Sequence, residues 1–284
     1  MTTSSNPRTF AIGGELTVGR LGFGAMRLTG PGDWGLPADP AGALKVAQRA
    51  VELGVTFIDT ADAYGPGTNE EQLAEALHPY PEGLVIGTKA GQSRPSAREW
   101  KPLGRPEYLR QQCELSLRRL RLERIDLFQL HRIDPQVPEE EQFGALAQLQ
   151  QEGKIRHIGL SEVTVEQLER ARRSIEVASV QNLYNLTERK HDDVLEYCTR
   201  EDIAFIPWLP IASGQLSQAG GALATVAAEL GATAAQISLT WLLHRSPVVI
   251  PIPGTSSLTH LEENAGAAEL TLTDEQYATL TALG

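Results

Sequence analysis

Along the chain, short apolar, β-branched runs alternate with longer stretches in which apolar residues recur every three to four positions. The runs at 21–27, 56–60, 84–89, 125–131, 157–161, 177–182, 204–209 and 248–252 read as strands. Helical periodicity falls near 40–53, 69–77, 106–120, 139–152, 164–174, 188–200, 234–245 and 257–267. The first of these shows the logic: Ala43, Val46, Ala47, Ala50 and Leu53 share one stripe, and Gly54 stands where a C-cap glycine belongs. The strand runs are continuously apolar rather than alternating, as burial on both faces requires. Strand–helix alternation from end to end calls for a parallel sheet, and eight strands suit closure into a barrel.

Two flanking segments complete the expectation. Residues 9–18 read as a hairpin turning at Gly13 and Gly14 that caps the bottom of the barrel. Residues 273–283 read as an outer helix with Thr273 as N-cap. The expected architecture is α/β: one (β/α)8 TIM-barrel domain over residues 1–284, with an N-terminal β-hairpin cap and an extra C-terminal helix. The competing doubly wound sheet would carry G-x-G-x-x-G after a strand. Here Gly22-Phe23-Gly24 is followed by Ala25, Met26 and Arg27, so the third glycine is missing.

Composition narrows the function classes. Lys plus Arg is 25 against 36 Asp plus Glu, a net charge of −11. So acidic a surface repels nucleic-acid backbones and anionic membranes. Cys113 and Cys198 show no C-x-x-C spacing, which argues against a disulfide framework or a metal site and for free thiols in a reducing cytoplasm. The start of the chain has no signal-peptide pattern, and no window approaches ~18 apolar residues. A cytoplasmic location is therefore expected. The charge runs at 118–124 and 138–142 read as solvated faces, with signs that suit the helix dipoles.

In a barrel of this kind, chemistry gathers at the C-terminal ends of the strands. Those positions carry Asp59, with Tyr64 in the loop after it, then Lys89, His131, Ser161 with Glu162, Gln181 with Asn182, and Trp208. Ionisable and amide groups thus ring one mouth.

The stretches FIDTADAYG, GTKAG, LFQLH, HIGLSE, VQNLYN and IPGTSSLTHLEEN, in this order and spacing, resemble the aldo-keto reductase superfamily over nearly the whole chain. The stretches RLGFGAM, TGPG, HPY, QNLYN and IPGTSSLTHLEEN resemble bacterial members of the general oxidoreductase and pyridoxal reductase kind. The resemblance implies NADPH-dependent reduction of an aldehyde or ketone to an alcohol, with Tyr64 as general acid assisted by Lys89, Asp59 and His131. An ammonium ~4 Å from a phenol contributes about 4 kcal/mol at an effective dielectric near 20. That would pull the Tyr64 phenol from about 10 toward about 7. Asp59 would keep Lys89 charged, and a neutral His131 would align the substrate oxygen.

The same resemblance assigns the cofactor groove. Gly24, Ala25 and Met26 would run beside the nicotinamide and pyrophosphate. Ser161, Glu162 and Gln181 would meet the carboxamide, and Trp208 would lend a π-face to the ring, with Leu209, Pro210 and Ile252 beside it. Gly214, Gln215 and Leu216 would fold over the pyrophosphate. Gly254, Thr255, Ser256, His260, Glu263 and Asn264 would hold the 2′-phosphate and adenine at a helix N-terminus. Many members carry Thr for Ala25, Asn for Glu162, Lys for Gly254 and Arg for His260. With those two fixed charges gone, NADPH is expected with a reduced margin over NADH, one that shrinks as pH rises. Met26, Trp34, Trp100 and Arg132, with Tyr64 and His131, would wall the pocket for a small carbonyl substrate. Two other readings remain at this level: an NADPH-binding sensor or regulatory subunit with little turnover, and a Schiff-base aldolase using Lys89.

Overall fold

The computed structural model describes residues 8–211 and 221–284. Seven strands form one parallel sheet in the order β3 (Phe23–Gly24), β4 (Phe57–Asp59), β5 (Val85–Ala90), β8 (Ile125–Leu130), β9 (Ile155–Ser161), β10 (Val177–Gln181) and β11 (Ala204–Phe205). The eighth stave expected at 248–252 is not a regular strand, yet its backbone bonds on both sides. Phe205 N–H donates to Val248 O at 2.9 Å and Ile250 N–H to Phe205 O at 2.8 Å. On the other side Gly22 N–H donates to Pro251 O at 2.9 Å and Gly24 N–H to Pro253 O at 3.2 Å. Pro251 and Pro253 have no N–H to give, so this stave accepts and closes the barrel without completing a ladder. The seventh stave shortens to Ala204–Phe205 for the same reason, since Pro207 interrupts its donors.

The antiparallel hairpin of β1 (Thr9–Ile12) and β2 (Leu16–Gly19) turns through Gly13 and Gly14, at φ 60° and 73°. It covers the bottom: Gly19 N–H donates to Thr56 Oγ1 at 2.7 Å, just before β4. Gly13 lies against the His157 imidazole so closely that any Cβ would overlap it. A second antiparallel hairpin, β6 (Gln92–Ser96) and β7 (Glu99–Pro102), rises after β5 and was not foreseen, because its polar sequence lacks an alternating apolar face.

Outside the barrel lie α1 (Pro40–Glu52), α2 (Thr68–Leu77), α3 (Pro106–Leu120), α4 (Glu139–Gln151), α5 (Val165–Ala171), α6 (Asp192–Arg200), α7 (Ala222–Glu229), α8 (Ala234–Arg245), α9 (Leu258–Gly266) and α10 (Asp274–Thr281). Asp39 caps α1, and the Thr273 hydroxyl accepts from Gln276 N–H to cap α10. α6 begins at Asp192 rather than 188, because Asn185 Oδ1 gathers the N–H groups of Thr187 and Glu188 into a turn. α7, ALATVAAE, has too little polar contrast to announce itself.

The two charge runs are solvated faces for the most part, with Arg118, Arg121, Glu123, Arg124, Glu140 and Glu141 exposed, but each sends one polar side chain inward. Arg119 turns inward and donates to the buried Glu70 carboxylate at 2.6 Å. Gln142 is wholly buried and gives its amide protons to Asp134 O and Val137 O. Both cysteines are free and buried, and burial pushes each thiol up to about 12. Among the described residues, no single helix is long and apolar enough to cross a membrane.

Candidate active site

The ends of β4, β5, β8 and β10 bring four side chains to one point inside the barrel mouth. Lys89, fully buried, spends its three protons on three acceptors. Its Nζ lies 2.5 Å from Asp59 Oδ1, 2.8 Å from Thr60 O and 3.3 Å from the Tyr64 hydroxyl. An ammonium can only donate, so the Tyr64 oxygen accepts and its own proton is left to point elsewhere. The other Asp59 oxygen, Oδ2, accepts from Gln129 Nε2 at 3.1 Å and Gln181 Nε2 at 2.9 Å.

The loop after β4 delivers Tyr64. Thr60 N–H bonds Gly87 O and Asp62 N–H bonds Lys89 O, so the loop leans across β5. Gly65 then takes φ 61°, which turns the chain outward, and its N–H donates to Asp33 O at 2.9 Å. From α2, Asn69 ties Thr60 Oγ1 to Ala25 O.

The electrostatics correct the sequence arithmetic at Tyr64. Burial pushes its phenol above the ordinary value, and the Asp59 carboxylate adds to this; the pull of Lys89 does not overcome them. Burial also works against the charge on Lys89, but Asp59 and the phenol oxygen outweigh it and hold the ammonium above its usual value. His131 moves the other way: burial, then Lys89, Arg132 and Arg94, hold it well below the histidine range, so the ring is neutral. It stands edge-on to Tyr64, with centroids 5.9 Å apart, and to Trp100, at 6.1 Å. The His131 Nδ1 is buried with no partner among the described residues.

The groups around the opposite wall divide their hydrogen bonds in a readable way. Ser161 Oγ accepts from Arg132 Nη1 at 3.0 Å, which leaves the hydroxyl proton to donate. A carboxylate accepts only, so Gln181 must turn its NH2 to Asp59; its Oε1 remains an acceptor without a partner among the described residues. One donor and one acceptor, buried side by side at the ends of β9 and β10, suit a primary carboxamide such as that of a nicotinamide.

Glu162, expected at the carboxamide, commits one carboxylate oxygen to neighbouring groups. At φ 55°, it turns its Oε1 to Trp208 Nε1 at 2.7 Å and Leu183 N–H at 2.6 Å. Burial opposes its charge, but His191, 3.7 Å away, with Trp208, the Leu183 N–H and Arg132, brings its carboxyl down to about 2. The indole of Trp208 is thereby fixed in one orientation.

The remaining predicted positions lie further along the mouth. Ala25 and Met26 open a short 3-10 turn after β3. Gly24 passes so near Ile252 that a Cβ would stand 2.7 Å from its carbonyl oxygen. Leu209 takes φ 56° and its carbonyl accepts from Asn185 Nδ2; Pro210 and Ile252 are buried. Ser257 caps α9; Thr255 Oγ1 accepts from Ser257 N–H at 3.0 Å. Thr255 and Asn264 are buried and Glu263 half-buried, whereas Gly254, Ser256 and His260 are exposed. Gly214, Gln215 and Leu216 fall outside the described residues.

Two residues at the mouth were missed by sequence reasoning. Gln129 was hidden because a single amide inside an apolar strand carries no motif. Arg94 was hidden in the unforeseen β6–β7 hairpin. Its guanidinium lies 3.7 Å over the Trp100 ring and 5.5 Å from that of Trp34. It also donates to Gly32 O, Asp33 O, Ala63 O and Ala97 O, tying three loops together. Trp100 is edge-on to Tyr64, centroids 6.3 Å apart, while Trp34 is 38% exposed at the rim.

Comparison with known proteins places these features in a family. The model of the aldo/keto reductase family matches residues 20–284. An uncharacterized oxidoreductase of Schizosaccharomyces pombe is 51% identical over 94% of this chain and 87% of its own length. The pyridoxine 4-dehydrogenase of Escherichia coli is 42% identical over 98% of both chains. A crystal structure of an aldo/keto reductase from Klebsiella pneumoniae, in complex with NADP and acetate, superposes with a TM-score of 0.82 at 27% identity, covering 97% of this chain and 95% of that one.

Proposed function

Because the chain belongs to the aldo/keto reductase family, and is thus an oxidoreductase, we propose that it reduces an aldehyde or small ketone to an alcohol with NADPH. The observation that carries the reading is the exhausted donor set of Lys89: with all three protons committed, the Tyr64 hydroxyl proton is the one free to meet a carbonyl oxygen. When bound, NADPH supplies the hydride to the carbonyl carbon. Tyr64 donates its proton to the oxygen as negative charge develops there. Its raised pKa keeps the phenol protonated at neutral pH, so the proton is there to give when alkoxide-like charge forms on the oxygen. Lys89 stabilises the phenolate left behind, and Asp59 keeps Lys89 charged. The neutral His131 ring flanks the same space and orients the oxygen without competing as an acid.

Ser161 and Gln181 would hold the carboxamide by one donor and one acceptor, and Trp208, steadied by Glu162, would present its face to the ring. The Klebsiella pneumoniae structure with NADP supports the choice of cofactor. The pyridoxine 4-dehydrogenase of Escherichia coli supports pyridoxal as the first aldehyde to try. Lys89, charged and fully engaged, weighs against Schiff-base chemistry. The test is a fluorescence titration with NADPH and NADH, then an aldehyde panel that includes pyridoxal, followed by loss of NADPH absorbance. NADPH binding with turnover of at least one aldehyde is expected; binding without turnover on any carbonyl would overturn the reading.

A further inference from the structure

We propose that Gln129 is a positioning residue that couples the proton-donating pair to the cofactor-facing amide. The inference rests on the reading above of Tyr64, Lys89 and Gln181. Gln129 is the direct register partner of Lys89 across β5 and β8, so both side chains enter the barrel at one level. It is wholly buried. Its Nε2 donates to Asp59 Oδ2 at 3.1 Å, and its Oε1 lies 3.4 Å from the Gln181 Nε2 that bonds the same carboxylate oxygen. One amide therefore touches both the carboxylate that keeps Lys89 charged and the amide that faces the carboxamide.

The neighbouring strands are shaped to admit it. Gly159 is the register partner of Gln129 on β9, and a Cβ there would stand 2.7 Å from the Gln129 Cγ. Ser179 pairs with Gly159 in turn, so a lane of small residues lies beside the Gln129 side chain. A leucine or isoleucine would fill that lane as well in terms of packing alone. What the amide adds is a donor to an acceptor-only carboxylate and an acceptor for Gln181. Asp59 has three donors on two oxygens; without Gln129, Gln181 alone remains on Oδ2 and is free to rotate its amide away from the cofactor.

The test uses two variants of the full chain, folded state checked by circular dichroism, with the wild type beside them from acidic to basic pH. Gln129→Leu removes donor and acceptor at similar volume. It is expected to lower kcat roughly tenfold and to weaken NADPH binding severalfold, at every pH, since a hydrogen bond to a charged group is lost. Gln129→Glu keeps the shape and adds a titrating proton. Protonated, its carboxyl donates to Asp59 as the amide did; ionised, it repels Asp59. Its NADPH affinity and kcat should therefore rise toward wild type as pH falls, relative to a wild-type control measured at each pH. Wild-type kcat and NADPH affinity in Gln129→Leu, or a Gln129→Glu to wild-type ratio flat with pH, would overturn the proposal. The affinity ratio needs no turnover. A wild type that binds NADPH but reduces nothing sinks the functional reading while the ratio still decides this one; a wild type that does not bind NADPH sinks both.

Discussion

The strand-borne half of the site and its helix-borne half are made of opposite materials. Asp59, Lys89, Gln129 and Gln181 stand on strands, are at most 3% exposed, and are joined by hydrogen bonds through the Asp59 carboxylate. Around α9, Gly254, Ser256 and His260 are exposed, and the local order comes from a capping serine and a threonine turn. Arg27, also exposed, runs beside Gly254. In the first half a charge has no water to fall back on, so each partner is obligatory. In the second, solvent screens the contacts of the exposed residues, and each of those matters little. On the function proposed above, the chemistry falls to the dry half and recognition of the cofactor phosphate to the wet one.

Mutations should separate the two halves by size of effect. Lys89→Met strips a buried carboxylate of its only cationic partner among the described residues, which should cost about 3–5 kcal/mol of stability as well as turnover. A urea midpoint equal to wild type would contradict the obligatory pairing. Tyr64→Phe leaves Lys89 and Asp59 bonded to each other, so the fold should hold while kcat drops by about 10²–10⁴; NADPH affinity should stay within about twofold of wild type, since no lost contact touches the cofactor. Near-normal turnover in that variant would remove Tyr64 from its role.

The depressed His131 gives a smaller effect with a defined sign. The unfolded chain takes up its proton near pH 6.5 whereas the native ring refuses it, so acidification favours unfolding. Stability should fall by up to about 1.4 kcal/mol per pH unit below roughly 6.5, on top of other groups. His131→Asn should flatten that slope in urea titrations; equal slopes would show that the native ring does bind the proton. The wet half should respond least. His260→Ala should weaken NADPH about two- to fivefold, within the ~0.2–1 kcal/mol worth of an exposed polar contact, and leave NADH unchanged. An effect as large as that of Tyr64→Phe would break the contrast between the halves.

Much of this was legible in the chain. The alternation of runs placed seven of the barrel strands and most helices, and the strand-end residues Asp59, Lys89, His131, Ser161 and Gln181 do surround one mouth. Strand register accounts for that: residues at the ends of parallel neighbours are brought together whatever the loops do. The β6–β7 hairpin with Arg94 was not legible, because irregular connections follow from contacts with other loops rather than from local pattern. Nor was the purpose of Glu162. Its carboxylate, carried on a left-handed backbone, accepts from Trp208, a residue far away in the chain.

The sequence by itself determined the architecture and the cast: periodicity depends on near neighbours, and the motifs carry their own residues with them. Only the tertiary structure decided the directions of the charges. Whether Lys89 or burial prevails at Tyr64 depends on how much water the closed barrel excludes, and burial prevailed. Which amide meets which oxygen of Asp59 depends on side chains reaching across the barrel from strands far apart in the chain, a relation that no local stretch of residues encodes.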